Sequence, residues 1–373
     1  MIGLIPTQNN DSLAGIRGLF RHIMDAGIVE ALYVPLEMEN GTIMPALVAD
    51  PALLERANPF APAMPINAAR AVAELTGKHA PTQIGVVLRP CELRALTELI
   101  KLQQSNLEEV VLIGVDCPGT YEWAEYNRLQ RDGGLNLDEY LSAATRGEAL
   151  ASPSLRTACQ MCTQPVPEHV DVRLHLFGAD LSQGIPVTVE EGIASILELE
   201  PAGISGTDGR QAVVDRVIAR RDEVRQREFA AMRQRLDAKE GFAEIFATCI
   251  RCHNCKTACP ICYCKTCLFC TASFDHAPEH YLTTARRKGA MRLLGDTLLF
   301  HLTRLNHMGL SCVSCGMCTS ACPADIPVGM VFSLIGADVQ AAFEYKPGRD
   351  LSEPLPLVTF QADEWEQVGE KRK

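Results

Sequence analysis

The sequence predicts an α/β N-terminal domain with a partly parallel sheet, followed by a mainly helical domain that is rich in cysteine. Two observations predict this division. Apolar strand-like and helix-like runs alternate in the first half of the chain, whereas twelve of the 16 cysteines lie after residue 248. The predicted boundaries are 1–205 for the α/β domain, 206–247 for a linking helix, 248–343 for the cysteine-rich domain and 344–373 for an extended tail.

The elements of the first domain follow from the spacing of apolar residues. In chain order they are helix 12–26, strand 29–36, helix 68–76, strand 82–88, helix 92–103, strand 108–116 and two β-like runs at 170–178 and 185–192. Strand, helix and strand over 82–116 form a βαβ unit, whose two strands must be parallel. The sheet is therefore expected to be parallel at least in its centre.

The segments around the second domain are charged. Residues 207–241 have a thin apolar stripe, formed by Val213, Val217, Val224, Met232 and Leu236, and predict a long amphipathic helix with Gly241 as its C-cap. Residues 289–309 predict a further helix inside the cysteine-rich domain. The tail from Lys346 is rich in proline and charge, and is expected to be extended, either free or ordered against a partner.

Composition and charge exclude several classes of protein. The chain has 373 residues and a formal net charge of −11. Nucleic-acid binding needs clustered lysine and arginine, so this charge argues against it. No apolar run reaches the roughly eighteen residues of a membrane span. The N-terminus lacks a basic region followed by an apolar stretch, so we expect no signal peptide and a cytoplasmic location. In such a chain, many cysteines indicate metal or redox chemistry rather than disulfides.

Two cysteine runs have the same spacing, C-x2-C-x2-C-x3-C-P. The first is Cys249, Cys252, Cys255 and Cys259, and the second is Cys312, Cys315, Cys318 and Cys322. This is the spacing of two-cluster bacterial ferredoxins, in which the fourth cysteine of each run ligates the other cluster. We therefore expect Cys322 to complete the first set and Cys259 the second. Structural zinc is the alternative, but its sites usually come as two CxxC pairs. The helical insertion between the runs resembles the ferredoxin module of succinate dehydrogenase iron–sulfur subunits and heterodisulfide reductases.

Some residues in the second domain are surplus to these runs. Four further cysteines could ligate an additional cluster, or they could be inert or alternative thiols: Cys262, Cys264, Cys267 and Cys270. His253 lies between predicted ligands and could tune a cluster by hydrogen bonding, although it could equally be a loop residue. His301 and His307 are expected to be ordinary helix histidines.

The first domain has four cysteines at informative positions. Cys91 and Cys117 follow two strands of the βαβ unit, and Cys159 and Cys162 form a CxxC pair. Parallel strands end at the same edge of a sheet, which is where open α/β sheets bind ligands. A CxxC loop over that edge would complete a four-thiolate site for a [4Fe–4S] cluster or zinc. The alternative is that Cys91 and Cys117 are small core residues.

These segments resemble the beta subunits of coenzyme F420-reducing hydrogenases and formate dehydrogenases. The matching elements are "GVVLRPCELRALTEL", "VVLIGVDCPG" and "CQMCTQPVPEHVDVRLHLFG", within about residues 10–200. The resemblance implies one [4Fe–4S] cluster, held by Cys91, Cys117, Cys159 and Cys162, next to an FAD. No GxGxxG or P-loop pattern supports a nucleotide independently. The candidate flavin residues are Ser12, Gly15, Asn58 and Asn67. The alternative is that they only form turns or cap helices.

The resemblance and the cysteine runs together imply an iron–sulfur, flavin-containing subunit of an oxidoreductase. It would pass electrons between a flavin, F420 or NAD(P)-type hydride carrier and a partner, with ferredoxin as a further redox partner. The expected partner is the catalytic subunit of a formate dehydrogenase, a hydrogenase or a heterodisulfide-reductase-like complex. The alternative is a flavin-free, multi-cluster adaptor with no catalytic site of its own. Three [4Fe–4S] clusters are expected, and the surplus thiols leave a fourth open.

Overall fold

The computed structural model of the protein describes residues 1–7, 11–77, 80, 82–149, 153–199, 209–291 and 295–356. In these residues, one sheet has the strand order β1-β7-β6-β5-β4-β2-β3. The strands are β1 Ile2–Pro6, β2 Ala31–Glu37, β3 Ile43–Val48, β4 Ile84–Leu88, β5 Val110–Val115, β6 Val172–Leu174 and β7 Gly184–Val189. Strands β2, β4, β5 and β6 pair in parallel, whereas β3 and the β7–β1 pair are antiparallel. The predicted partly parallel sheet is confirmed.

Seven helices of the described residues surround this sheet. They are α1 Ser12–Asp25, α2 Ala69–Thr76, α3 Pro90–Lys101, α4 Trp123–Arg131, α5 Leu137–Arg146, α6 Thr157–Gln160 and α7 Glu191–Ile196. Every residue of β4 is buried, as expected of a central parallel strand that is covered on both faces. The predicted strand at 170–178 is shorter than expected, because after Leu174 the backbone N–H groups of Leu176 and Phe177 donate to the Asp116 carboxylate rather than to a neighbouring strand.

The sequence reasoning did not predict strand β3. Met44 and Leu47 point to solvent in this strand, and Pro45 removes one backbone donor. Both features are tolerated because β3 lies at the edge of the sheet and pairs only with β2. Apolar periodicity therefore underestimated the number of strands.

The linking helix α8 Arg210–Asp237 is present, but the prediction for Gly241 was wrong. Ala238 is the C-cap of α8, and Gly241 instead begins the short helix α9 Gly241–Ile245. A Cβ at Gly241 would collide with the carbonyl oxygens of Arg235 and Leu236. Glycine is therefore needed here so that the chain can fold back closely over the end of α8.

The cysteine-rich region is mainly helical, as predicted. Its helices in the described residues are α10 Asn254–Thr257, α11 Pro278–Lys288, α12 Thr297–Met308, α13 Met317–Ser320 and α14 Val328–Ala342. Its core is continuous with one face of the sheet, since Phe246, Phe300 and Val331 belong to the same buried cluster as Leu88 and Leu96. The two regions therefore pack as neighbours around a shared core.

The start of the tail contacts the chain itself. The backbone N–H of Gly348 donates to Glu98 Oε1 at 2.8 Å, and Leu355 is buried. Residues 357–373, which complete the predicted tail, lie outside the described residues. In the part of the chain that the structure describes, no helix is both long and apolar enough to cross a membrane.

Candidate metal centres

The four cysteines of the first region lie around one cavity of about 380 Å³ at the carboxyl edge of the sheet. Cys91 is the second residue of α3, directly after β4, and Cys117 follows β5, the parallel neighbour of β4. Cys159 lies in α6, and Cys162 follows that helix. We call Cys91, Cys117, Cys159 and Cys162 the N-terminal site.

Buried hydrogen bonds hold the backbone of this site in place. The Glu92 carboxylate accepts from the backbone N–H of Arg89 at 2.9 Å and of Ala68 at 3.0 Å, which fixes the start of α3. The Tyr140 hydroxyl donates to Gly119 O at 2.7 Å, next to Cys117. The N–H of Thr120 donates to Cys159 Sγ at 3.4 Å. These contacts connect the two strand ends to the CxxC loop.

The electrostatics of the N-terminal site suit thiolates that ligate metal ions. Burial raises the pKa of Cys91 well above its usual value, and the neighbouring thiols of Cys117 and Cys162 raise it further. Burial also raises the pKa of Cys117 to about 11. Burial opposes ionisation of Cys159 as well, but Arg156 and hydrogen bonds from Thr120 lower its pKa below the usual value. Cys91 and Cys117 resist ionisation unless further positive charge is present, and a coordinated metal would supply it. The donor set therefore fits an iron–sulfur cluster.

The two cysteine runs fold as copies of one loop. Arg251 and Ser314, which are equivalent positions, have φ values of 55° and 58°, and the equivalent His253 and Gly316 have 63° and 74°. A one-turn helix begins after each loop, at α10 and α13. The same uncommon backbone in both copies agrees with the repeated spacing in the sequence.

The fourth cysteine of each run lies with the other run. Burial raises the pKa of Cys255 to about 11, with further rises from Cys249, Cys322 and Cys252. Burial likewise raises the pKa of Cys318, with Cys259, Cys315 and Cys312 as its thiol neighbours. We call Cys249, Cys252, Cys255 and Cys322 the first ferredoxin site, and Cys259, Cys312, Cys315 and Cys318 the second ferredoxin site. The structure thus places these cysteines in the predicted groups of four thiols, and their role as cluster ligands stays a prediction.

The three sites form a row. Cys312 and Cys315 line the same cavity as the N-terminal site, so the second ferredoxin site is its neighbour. Gly316 makes this approach possible, because a Cβ there would collide with the Cβ of Ala158 in α6. The first ferredoxin site lies beyond, around a separate pocket lined by its four cysteines. The second ferredoxin site therefore occupies the middle position.

His301 contacts the first ferredoxin site. Its Nε2 atom lies 3.3 Å from Cys249 Sγ, and its ring stacks on Phe246 with 3.9 Å between centroids. Burial lowers the pKa of His301 to about 3, with a further contribution from Arg304, so the ring is neutral. The prediction of an ordinary helix histidine was incomplete. No sequence signal marks this contact, because Cys249 and His301 are distant in the chain.

The sequence reasoning also missed two buried arginines. Arg156 Nη2 lies 3.6 Å from Cys159 Sγ, and Arg304 Nη1 lies 3.1 Å from Cys255 Sγ. Arg156 and Arg304 are each only 4% exposed. Arg304 lies three residues after His301 on the buried face of α12, so helical spacing could have placed the two together.

The surplus cysteines are spread over different environments. Cys262 is buried beside Cys259 and Arg304, whereas Cys264 and Cys270 are exposed. Cys270 Sγ lies 3.3 Å from Lys256 Nζ and 3.5 Å from His253 Nδ1. His253 therefore contacts a surplus thiol as well as lining the pocket of the first ferredoxin site. Within the described ranges, no group of three or more His, Cys, Asp or Glu residues is arranged around a single metal ion. A four-iron cluster differs from such an ion, because each thiolate ligates its own iron.

The four candidate flavin residues have local structural roles. Gly15 packs against β1, where a Cβ would lie 2.8 Å from Pro6 O, and Ser12 is the first residue of α1. Asn67 Oδ1 accepts from Ala69 N at 3.1 Å at the start of α2, and its side chain also lies against Cys315. Asn58 is buried, and its backbone N–H donates to Pro35 O of β2 at 2.9 Å. Each residue therefore has a local structural duty, and its assignment to an FAD stays a prediction.

Comparisons with known proteins support the iron–sulfur interpretation. A family model described as a 4Fe-4S dicluster domain matches residues 263–327. The matched segment contains the complete second run but begins after Cys259. The first ferredoxin site therefore depends on the geometry described above.

Two curated proteins are similar to the chain over most of its length. The F420-dependent formate dehydrogenase subunit beta of Methanocaldococcus jannaschii is 24% identical over 379 residues, covering 93% of this chain and 94% of that protein. The F420-dependent formate dehydrogenase 1 subunit beta of Methanococcus maripaludis is 24% identical over 313 residues, covering 74% and 75%.

Among solved structures, a chain of the xenon-derivatised F420-reducing [NiFe] hydrogenase complex of Methanosarcina barkeri aligns with a TM-score of 0.45 and 11% identity. The alignment covers 62% of this chain and 92% of that chain. The similarity to the two curated proteins confirms the predicted resemblance of this chain to formate dehydrogenase beta subunits.

Proposed function

We propose that the protein is an iron–sulfur electron-transfer subunit of an oxidoreductase complex. The observation that carries this proposal is the row of three sites, each with four cysteines, in which the second ferredoxin site joins the other two. A [4Fe–4S] cluster supplies one-electron chemistry when it is bound. Clusters in a row are useful as a path for single electrons between two ends of a molecule.

The proposed ligands are the cysteines of the three sites. The N-terminal site would hold one cluster at the edge of the sheet, and the two ferredoxin sites would hold one each. The chain contributes burial, because most of the twelve thiols are half-buried or buried and Cys252 alone among them is exposed. Burial of this kind excludes water and lowers the local dielectric, which are two means by which a protein adjusts a cluster's potential.

The ends of the row suggest where redox partners bind. At the N-terminal site, the cavity is also lined by Arg94, Arg225 and Lys346, so its lining carries positive charge. This charge suits a phosphate-bearing hydride carrier such as F420 or a flavin. At the other end, exposed Cys252 and Ile250 mark the surface where the first ferredoxin site approaches solvent.

The names of the relatives suggest the rest of the complex. Both are beta subunits of F420-dependent formate dehydrogenases, so we propose that this chain assembles with a formate dehydrogenase catalytic subunit. A hydrogenase or heterodisulfide-reductase-like complex is the other form of partner predicted from the sequence. A cytoplasmic location is also retained as part of the proposal.

A second candidate function is a multi-cluster adaptor that binds no flavin. It is favoured by the placement of Gly15 and Asn67, which serve a helix–strand contact and a helix start. The two candidates make the same prediction for iron but differ in flavin.

Anaerobic isolation of the full chain tests both candidates. We expect about twelve irons per chain, from three four-iron clusters, with visible absorbance that dithionite bleaches. About one FAD per chain would support the flavin-containing subunit, and full iron without flavin would support the adaptor. Zinc in place of iron would overturn both.

A further inference from the structure

Arg304 lies between the two ferredoxin sites. Its Nη1 atom donates to Cys255 Sγ at 3.1 Å, and Nη2 donates to the carbonyl oxygen of Cys255 at 3.0 Å. Burial lowers the pKa of Arg304, but Cys255 of the first site and Cys259 and Cys318 of the second raise it overall. The guanidinium therefore contacts the first site directly, and its charge also acts on thiols of the second.

Arg156 occupies the corresponding position between the N-terminal site and the second ferredoxin site. Its Nη2 atom lies 3.6 Å from Cys159 Sγ. Its Nη1 atom lies 3.2 Å from the Sδ atom of Met317, which stands between Cys315 and Cys318. Each junction in the row of three sites thus contains one buried arginine.

Among the described residues, neither arginine forms an ion pair with an acidic side chain, although the charge of Glu122 also acts on Arg156. Arg304 packs instead against aromatic rings, 5.5 Å from the Phe300 centroid and 5.0 Å from the Phe332 centroid. A buried guanidinium without a counter-charge is strongly unfavourable. Clusters ligated by four thiolates are anionic, so they would supply the missing negative charge on both sides of each arginine.

We propose that Arg304 and Arg156 set the reduction potentials of the clusters on either side of them, as fixed positive charges at the two junctions. Adding an electron makes a cluster more negative, so a nearby buried cation favours the reduced form and raises the potential. Because each arginine faces two sites, it acts on two neighbouring clusters together. The middle cluster experiences both charges.

This inference rests on the proposed iron–sulfur function, and the two can fail separately. If the wild-type chain binds no iron, the proposed function fails. If it binds about twelve irons but its potentials do not respond to these arginines, only the inference fails. A purely structural role is the competing explanation, since Arg304 also holds the backbone of Cys255.

The test is a potentiometric titration, followed by electron paramagnetic resonance, of the full anaerobic chain and of paired variants. Arg304→Gln and Arg156→Gln remove the charge, whereas Arg304→Lys and Arg156→Lys keep it. Arg233→Gln is the matched control, because Arg233 is exposed on α8 and pairs with Asp338 instead. Iron is counted in every variant.

We expect Arg304→Gln to lower the potentials of both ferredoxin clusters by the equivalent of at least tenfold in the reduction equilibrium, about 59 mV for one electron. The N-terminal cluster should not shift in that variant. Arg156→Gln should lower the N-terminal and second ferredoxin clusters and leave the first unchanged. The lysine variants should recover most of each shift, and Arg233→Gln should show none.

Two results would overturn the inference. One is iron-loaded glutamine variants whose potentials equal those of the wild type. The other is an equal loss of iron in the lysine and glutamine variants, because geometry rather than charge would then decide whether the clusters bind.

Discussion

The N-terminal site and the two ferredoxin sites use different means to bring four thiols together. In each ferredoxin site, three thiols come from one short loop with left-handed backbone positions, and the fourth comes from the other loop. In the N-terminal site, the thiols come from two strand ends and a CxxC loop, and the sheet topology joins them. The comparison teaches that local spacing builds one kind of site and long-range topology builds the other.

The two kinds of site should therefore differ in how strongly they depend on metal. The sheet region has its own hydrophobic core, which includes Ile16, Phe20 and Leu32. The ferredoxin loops have one-turn helices that cannot be stable alone. Metal binding should contribute more to folding in the second region than in the first.

The largest expected effect is loss of both ferredoxin sites in the double variant Cys255→Ser/Cys318→Ser. We expect a loss of about eight of about twelve irons. Residues 249–343 should also become sensitive to protease, because their folding is coupled to metal binding. Iron counting and limited proteolysis measure this. A variant that loses the iron but stays as resistant to protease as the wild type would contradict the expectation that folding of the ferredoxin region depends more strongly on metal.

A smaller effect is expected for Cys91→Ser in the N-terminal site. About four irons should be lost, while the thermal unfolding of the sheet region changes little, because its core does not depend on the thiol. Both ferredoxin clusters should keep their electron paramagnetic resonance signals. Unchanged iron would refute the assignment of Cys91, and loss of all three signals would refute the independence of the site.

The exchange of the fourth cysteines can be tested by combining variants. Cys322→Ser and Cys249→Ser belong to the same site, so the double variant should lose only about four irons, like either single variant. Cys322→Ser with Cys312→Ser should lose about eight, because these residues belong to different sites. The reverse pattern would show that each run holds its own cluster.

The smallest effect is expected for the surplus thiols. Cys264 and Cys270 are exposed and belong to none of the three sites. The double variant Cys264→Ser/Cys270→Ser should keep about twelve irons, and it is also the matched control for Cys255→Ser/Cys318→Ser. A loss of about four irons in this variant would reveal a fourth cluster, and the row of three sites would then be incomplete.

The same contrast explains how much the sequence could predict. The exchanged ferredoxin sets follow from spacing alone, and the βαβ unit predicts that Cys91 and Cys117 lie side by side. Three features could not be predicted from local pattern. His301 contacts Cys249 although a long insertion separates them in the chain. Arg156 of the sheet region contacts Met317 of the cysteine-rich region. Gly241 begins a helix, and apolar periodicity could not distinguish the start of that helix from the end of the preceding one. Each depends on tertiary packing.

The candidate flavin residues were harder to assign from sequence than the cysteines. The function of glycine, serine and asparagine in turns is hard to infer from sequence, because residues that cap helices or allow close packing are of the same types as those in phosphate-binding loops. Gly15 and Asn67 are both explained by such duties. Cysteine at repeated spacing has few competing explanations, so it carries more information about function.

The order of the three sites is the central claim, and magnetic coupling between reduced clusters tests it most directly. In the fully reduced wild-type chain, electron paramagnetic resonance should show spectra broadened by coupling between neighbours. Loss of the middle cluster in Cys312→Ser should leave two uncoupled signals, whereas loss of an end cluster in Cys91→Ser or Cys249→Ser should leave a coupled pair. A coupled pair that persists in Cys312→Ser would contradict the placement of the second ferredoxin site in the middle.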